Sequence, residues 1–176
     1  MRLTASRPVI RRFVGAVVAG AALAATSGCT VPVDAVAGVS VTADGHLLGV
    51  VMVCGHHIDG ATLYVDSDDA DKEVTVGSWT SARPHRAGLV IWPLESPAAG
   101  WTTTRALSPL TAGTTYILYG GTKDNSWSTT DVSFTRADRD RLAPGEVLYD
   151  DISDDGDESA AVVSLTQFKA TACRDM

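Results

Sequence analysis

From residue 38 onward, the chain alternates short apolar runs with clusters of Gly, Pro, Asp and Asn. Runs broken at intervals by turn-forming residues are typical of the strands of an all-β sandwich or barrel. The run at 47–54 is almost wholly apolar, which predicts a central strand buried on both faces. Asp44-Gly45, just before it, predicts a hairpin turn. The predicted strands lie at residues 39–42, 47–54, 62–65, 74–76, 88–92, 115–119, 130–134 and 146–149.

Residues 1–28 have the three-part layout of an export signal. A basic stretch ends at Arg12, an apolar run covers residues 13–25, and small residues precede Cys29. This order is typical of a secretory signal peptide, and the apolar run is too short to remain as a membrane-spanning helix. The Arg11-Arg12 pair fits the twin-arginine export motif poorly, so we expect the general secretory route.

Thr26-Ser27-Gly28-Cys29 resembles the lipobox of bacterial lipoproteins, with Thr26 where leucine is usual. The resemblance implies that the thiol of Cys29 receives a diacylglyceryl group and that a peptidase then cuts before it. Residues 29–37 would then be a lipidated tether, since they are small, include Pro32 and show no periodicity. The predicted location is the extracytoplasmic face of the cell membrane. Plain secretion, with Cys29 incidental, is the alternative.

Charge is unevenly distributed along the chain. Residues 1–28 carry four arginines and no acidic residue, so their removal takes the formal net charge from −7 to −11. A strongly acidic domain repels nucleic acid phosphates and anionic lipid headgroups. We therefore expect no nucleic-acid partner, and contact with the membrane only through the N-terminal lipid.

The chain contains three cysteines, Cys29, Cys54 and Cys173. If lipid occupies Cys29, two thiols remain in a compartment where thiols tend to oxidise. One disulfide, Cys54–Cys173, is the simplest expectation, and it would close a loop of about 118 residues. Two buried free thiols are the alternative. Metal binding is less favoured, because two widely separated cysteines lack paired ligand spacing.

Residues 110–116 resemble the tyrosine-corner stretch of fibronectin type III domains. The family pattern is Leu-x-Pro-Gly-Thr-x-Tyr, and Leu110, Gly113, Thr114 and Tyr116 occupy matching positions, while Ala112 replaces the proline. The resemblance implies an immunoglobulin/fibronectin type III-like β-sandwich, in which the tyrosine hydroxyl bonds to backbone upstream.

These patterns together predict the domain organisation. Helical periodicity appears only at residues 165–173, so we expect the chain to end near a short helix. The predicted order is a lipoprotein signal peptide (1–28), a lipidated tether (29–37), the β-sandwich (38–137) and a C-terminal extension packed on that sandwich (138–176).

The whole chain also resembles small uncharacterised lipoproteins of high-GC Gram-positive bacteria. Besides the Cys29 signal, the residues that carry the resemblance are Val53-Cys54-Gly55, Ile58-Asp59-Gly60-Ala61 and Gly120-Gly121-Thr122-Lys123-Asp124-Asn125. It spans most of the chain beyond the signal and implies the same lipid-anchored location, with no assigned activity.

The sequence contains no recognisable catalytic motif. It lacks a Gly-x-Ser-x-Gly elbow, a phosphate loop and a dinucleotide fingerprint, and Cys54 is expected to be oxidised. His56-His57 could indicate metal ligation, but neighbouring strand residues point to opposite faces, so a polar turn is favoured. We therefore expect no cofactor and no enzyme activity.

Asp151, Ser153 and Asp155 resemble the start of a calcium loop, with oxygen ligands at alternate positions. Val162 stands where such a loop requires glutamate. A solvated acidic loop is therefore favoured over a calcium site, and the same holds for the acidic residues at 66–71.

The four tryptophans could line a carbohydrate or peptide groove, although packing in the core is favoured for most of them. They are Trp79, Trp92, Trp101 and Trp127. Trp127 is the expected exception, because residues 123–127 form a predicted loop tip between the last two strands of the sandwich. Trp127, Asn125 and Asp124 are the candidate binding residues.

The predicted function is a lipid-anchored, extracytoplasmic, non-catalytic module that binds an envelope protein, peptide or wall polymer through its end loops. A cell-wall hydrolase or accessory enzyme is the runner-up, and it requires a cleft with convergent acids. A structural spacer is the third possibility, and it would have no concave, aromatic-lined surface.

Overall fold

The computed structural model describes residues 30–66, 73–96, 100–152, 158–174 and 176, and those from Val31 onward form one compact unit. Strands dominate it, which confirms the predicted all-β class. The elements in these ranges are β1 (Val33–Val41), β2 (Leu47–Val65), β3 (Val74–Pro93), β4 (Trp101–Arg105), β5 (Thr115–Gly121), β6 (Ser128–Thr130), β7 (Val132–Thr135), α1 (Arg136–Arg141), β8 (Glu146–Ile152), β9 (Glu158–Ser164) and α2 (Leu165–Thr171).

Four of the strands close into a small barrel. β1 runs antiparallel to the first half of β2, and the second half of β2 pairs with β5. β5 meets β6 at Gly121 and Ser128, and β6 returns to β1 in parallel. The hairpin partners β3 and β4 extend this ring beyond β2, while β8 and β9 extend it beyond β1. β7 pairs with β5.

β2 and β3 are long because each continues through two parts of the sheet. Residues 47–53 of β2 pair with β1 and with the end of β3, whereas residues 60–65 pair with β5 and with the start of β3. Register shifts between Val53 and Gly60 separate these halves. Irregularities of this kind bend a strand and increase its twist. The sequence predicts four separate strands here, and His56-His57 as a polar turn; that turn is wrong, since the pair lies within β2.

The predicted tether at 29–37 overlaps the folded domain. β1 begins at Val33, and Ala35, Val36 and Ala37 are buried between neighbouring strands. Small residues lack a clear hydrophobic alternation, yet they fit where strands pack closely from both sides. Residues 33–37 are therefore part of the sheet, which corrects the predicted boundary.

The C-terminal region continues the same sheet. β8 pairs with β1 at Leu148 and Val39, and β9 forms an antiparallel hairpin with β8. α2 confirms the predicted short helix; Ser164 caps it, and Phe168 is fully buried with its ring edge-on to Tyr149 at 5.2 Å. The predicted disulfide Cys54–Cys173 is confirmed, and it joins the middle of β2 to the residues after α2.

Three of the tryptophans lie in the main core, as the sequence predicts. Trp92 stacks on Trp101 with ring centroids 4.5 Å apart and meets Trp79 edge-on at 6.4 Å. Gly49 lies opposite Trp92 in the neighbouring strand. A Cβ at Gly49 would come within 2.5 Å of the indole, so this position has room only for glycine.

The side chain of Tyr116 is hydrogen-bonded to the backbone that precedes it. Its ring is buried beside Phe134, and its hydroxyl accepts a hydrogen bond of 2.7 Å from the backbone amide of Thr111. The amide precedes the tyrosine by five residues, so the bond ties the incoming loop to the start of β5.

The sequence pattern does not predict three of these elements, β4, β9 and α1. β4 and α1 are too short to show strand or helix periodicity. The only local sign of α1 is the capping box between Thr135 and Asp138. β9 directly follows an acidic stretch, so no apolar alternation shows where the strand begins. In the part of the chain that the structure describes, no helix is long and apolar enough to cross a membrane.

Candidate functional site

The outer face of β2, β5 and β7 forms one wall of a groove of about 870 Å³. Strand residues alternate between core and groove. Leu63 and Leu118 are fully buried, whereas their neighbours Thr62, Tyr64 and Tyr119 line the groove. Alternation of this kind places every second side chain on the same surface. The 122–127 loop and the ends of β1 and β8 close the groove at its sides.

Three aromatic side chains and several polar ones line this groove. The aromatic residues are Tyr64, Tyr119 and Trp127. Hydroxyl groups come from Thr62, Thr75, Ser128, Thr130 and Ser133, an amide from Asn125, and carboxylates from Glu73, Asp131 and Asp150. Aromatic faces surrounded by hydrogen-bonding groups suit a ligand that has both apolar faces and many polar groups.

The pKa of Tyr64 reflects both its burial and the negative charge of the groove. Burial raises the pKa of this phenol to about 12, and the nearby carboxylates of Asp131 and Glu73 add to the shift. Negative charge disfavours the phenolate form, so the hydroxyl remains a hydrogen-bond donor at neutral pH. The groove is therefore acidic, and it holds a neutral tyrosine donor.

The 122–127 loop is built around Thr122. The hydroxyl oxygen of Thr122 accepts from the amides of Ser126 at 2.8 Å and Trp127 at 3.1 Å, and the Thr122 amide donates to the Trp127 carbonyl. Asn125 occupies the left-handed region at φ 57, which asparagine tolerates better than most residues. These bonds hold Asn125 and Trp127 in a defined turn at the groove.

Asp59 anchors the same loop from the neighbouring strand. Its carboxylate is buried and accepts from the Lys123 amide at 2.9 Å, while the Lys123 ammonium donates to the Ser81 carbonyl, also at 2.9 Å. Gly60 and Gly121 pair directly between β2 and β5. The two stretches that carry the resemblance to small lipoproteins, 58–61 and 120–125, therefore meet in space beside the groove.

The indole ring of Trp127 packs against the imidazole ring of a histidine. The rings of His56 and Trp127 are stacked with centroids 3.5 Å apart, and His56 Nδ1 lies 2.8 Å from a carboxylate oxygen of Asp34. The same Asp34 oxygen accepts the amide protons of His56 and of Gly55, the latter at 3.2 Å. Asp34 thus fixes the backbone and ring of His56, and His56 covers one face of Trp127.

Two of the three predicted binding residues line the groove, and the third stabilises the loop. Asn125 and Trp127 line the groove, whereas Asp124 lies outside it and braces the loop. The Asp124 carboxylate accepts from the Ser126 hydroxyl at 2.7 Å and from the Ser126 amide at 3.2 Å. These bonds hold the pKa of Asp124 below its usual value.

The calcium candidate is only partly within the described residues. Asp151 is exposed near the end of β8, but Ser153 and Asp155 lie outside the described residues, as do residues 67–72 of the acidic turn. Among the side chains that the structure describes, no three His, Cys, Asp or Glu residues form a group suited to a metal ion.

The sequence pattern does not mark several residues of the site. It places Tyr64 and Tyr119 only in strands and Asp34 only in the tether. Alternation along β2 and β5 could have found the two tyrosines, since each lies two positions from another polar or small residue on the same face. Nothing in the sequence pairs Asp34 with His56, because that contact depends on the register of β1 and β2.

In comparisons with known proteins, no family model, no curated protein and no solved structure matches this chain.

Proposed function

We propose that this chain is a lipid-anchored domain on the extracytoplasmic face of the cell membrane, and that it binds an envelope component without catalysis. The observation that carries the binding proposal is the groove in which Trp127 and Asn125 meet Tyr64 and Tyr119. A structural spacer has no need of such a surface. The preformed loop and the stacked, half-buried Trp127 supply a rigid aromatic contact, and rigid contacts lose little entropy when a ligand binds.

The anchoring proposal rests on residues 26–29, whose lipobox-like order makes Cys29 the acceptor of the lipid. The Cys54–Cys173 disulfide supports export, since disulfides persist mainly in oxidising compartments. The resemblance to small lipoproteins of high-GC Gram-positive bacteria supports the same location. In this proposal the described domain begins only a few residues after the lipid, so its groove lies close to the membrane and to the inner layers of the envelope.

We further propose that the fold is related to immunoglobulin/fibronectin type III-like sandwiches. The Tyr116–Thr111 hydrogen bond supports this relationship, because it has the direction and the short sequence separation of a tyrosine corner. A sandwich of this kind has two separate sheets. The parallel pairing of β1 with β6, which closes a barrel, would be a departure from that arrangement.

A hydrolase is the second candidate, and one observation favours it. Glu73, Asp131 and Asp150 bring three carboxylates to the same groove, and glycoside hydrolysis uses a pair of carboxylic acids. Asp150 also accepts the Ser133 amide at 2.8 Å, which is a structural role. The binding module is preferred because the aromatic loop accounts for more of the groove.

Retention on detergent-washed cell envelopes tests the binding proposal apart from the anchor. A non-ionic detergent releases a protein held only by lipid, whereas a protein that also binds an envelope component stays in the insoluble fraction. We expect the native protein to remain there, and Trp127→Ala to weaken retention by about tenfold or more, as is usual for a central aromatic contact. Ser159→Gln on exposed β9, outside the groove, is the matched control.

Equal extraction of the native protein and Trp127→Ala would contradict the binding proposal, provided that both retain the Cys54–Cys173 disulfide. The anchor has its own test. Cys29→Ser should appear in the medium or remain unprocessed, and a membrane-bound variant of mature size would contradict lipid attachment at Cys29.

A further inference from the structure

A second groove lies on the same face of the sheet, beside the first. It measures about 290 Å³ and is bordered by β2, β3, β4 and the start of the 122–127 loop. Its polar side chains include Ser78, Thr80, Thr104 and Lys123. Thr62, Tyr119 and Gly121 line both grooves, so the two are parts of one continuous surface.

The passage between the two grooves runs past Gly121, which lines both, and beside Gly60, which lines only the second. Gly60 and Gly121 lie opposite each other in β2 and β5, and a Cβ at Gly121 would have its nearest contact, the Tyr119 hydroxyl, at 3.4 Å. Neither residue has a positive φ. Packing and backbone geometry therefore leave room for a side chain at 121 beside the Tyr119 ring, and a larger residue there would narrow the connection between the grooves.

We propose that an extended, uncharged glycan chain is the ligand, and that it runs from the Trp127 end of the first groove over Gly121 into the second. This inference rests on the proposed binding function and names the class of ligand. A linear chain fits because the two grooves share Thr62, Tyr119 and Gly121 and together form a surface longer than a single pocket. Several consecutive units would then contact the protein.

The residues that line the grooves match both the apolar faces and the hydroxyl groups of sugars. The C–H faces of sugar rings pack on aromatic faces, which Tyr119 and Trp127 provide. The hydroxyls of sugars both donate and accept, and they would meet the Ser and Thr hydroxyls and the carboxylate of Glu73. The carboxylates of the first groove disfavour an anionic polymer, and the Lys123 ammonium of the second disfavours a cationic one, so we infer a neutral glycan.

An extended peptide fits this surface less well. Peptides that add to a sheet bind along an open edge, where unpaired backbone groups receive their amides. Here the surface is the face of the sheet, and the β2 and β5 backbones that form it are paired with each other and with β3 and β7. The groups on offer are side-chain hydroxyls, carboxylates and aromatic rings.

Chain length is the variable that tests this inference. We would measure binding of full-length, detergent-solubilised protein to cello-, chito- and manno-oligosaccharides, from dimers to octamers, by titration calorimetry. At least one series should bind with affinity that rises with length until both grooves are filled. Gly121→Gln, which puts a side chain on the passage, should lower the affinity for the longest bound oligomer by about tenfold, the equivalent of two lost hydrogen bonds. It should leave the dimer almost unaffected.

Ser159→Gln is the control, and the native disulfide with an unchanged urea midpoint establishes that Gly121→Gln is folded. Absence of binding to all three neutral series, or length-independent binding that ignores Gly121→Gln, would overturn the glycan inference. Binding to an array of extended peptides instead would also overturn it. Retention on detergent-washed envelopes separates the two proposals: if Trp127→Ala loses retention while no neutral glycan binds, the binding function stands and the glycan assignment fails. Release of shortened oligosaccharides would favour the hydrolase.

Discussion

The imidazole of His56 stacks on the indole of Trp127, with ring centroids 3.5 Å apart and ring planes inclined by 17°. The contact links β2, near the disulfide, to the loop that borders the groove. Asp34 holds the imidazole through its Nδ1 atom at 2.8 Å. One face of Trp127 is thereby covered by protein, so we infer that its exposed remainder is held in place for a ligand.

Removal of this support should expose Trp127 to solvent. We expect His56→Ala to increase the quenching of tryptophan fluorescence by acrylamide, because Trp79, Trp92 and Trp101 are buried and contribute little to quenching. His57→Ala, the adjacent substitution in the same strand, should have a smaller effect. Identical quenching constants for His56→Ala and the native protein would mean that the stack does not hold Trp127 in solution.

The disulfide should account for a large share of the domain's stability. Replacing Cys54 and Cys173 together by serine should lower the free energy of unfolding by about 4 kcal/mol, since the bond constrains the unfolded chain over a long loop. It should also loosen α2, which the bond ties to β2. Urea denaturation measures the first effect. Thiol titration of the denatured, unreduced native protein should find neither of these cysteines free, and two reactive thiols would contradict the disulfide.

The Tyr116–Thr111 hydrogen bond should be detectable by removal of the tyrosine hydroxyl oxygen. Tyr116→Phe leaves the buried ring in place but deprives the Thr111 amide of its acceptor, which should cost about 1–2 kcal/mol in the free energy of unfolding. Tyr119→Phe, a substitution of the same kind on the groove face, should cost less. An unchanged urea midpoint for Tyr116→Phe would show that the bond contributes nothing to stability.

Tyr64 should be among the last tyrosines to ionise. Its pKa is raised to about 12, first by burial and then by Asp131 and Glu73, so phenolate absorbance should retain a step well above the ordinary value of 10.0. The folded state binds this proton more tightly than the unfolded state. The contribution to stability is therefore complete below pH 10 and declines as the pH rises through 10 towards 12.

Two variants check the assignment of that step. Tyr64→Phe should reduce the absorbance change at high pH by one tyrosine, while Tyr149, whose pKa burial also raises, still contributes. Glu73→Gln should move the Tyr64 step to lower pH, because one of the neighbouring negative charges is lost. A high-pH absorbance change of the same size in Tyr64→Phe and in the native protein belongs to other tyrosines and would contradict the electrostatic description of the groove.

Local patterns predict those features that local residues determine. The apolar run at 47–54, the Asp44-Gly45 turn and the short helix predicted at 165–173 all depend on neighbours in sequence. The structure contains each of them, with the helix at Leu165–Thr171. The cysteine pair was predictable for a different reason, since only two cysteines remained to form a bond after Cys29 was assigned to lipid. The candidate binding residues Trp127 and Asn125 were found because loop tips between strands follow from the strand pattern.

The parts that were missed depend on register and on packing between distant strands. β1 starts at Val33 because small residues fit between its neighbours, which no periodicity reveals. Tyr64 and Tyr119 share a groove because β2 and β5 pair in one register, and a shift by one residue would turn both into the core. Asp34 supports His56 across two strands for the same reason.

In-cell photo-crosslinking tests the central claim, that the groove binds an envelope component, most directly. A benzophenone amino acid replaces Tyr119 on the groove face or, as the control, Ser159 on β9, and the cells are irradiated before the envelope is solubilised. We predict that the protein with the probe at 119 forms a discrete adduct and that the protein with the probe at 159 does not. Absence of an adduct at 119, or equal adducts at both positions, would contradict the account.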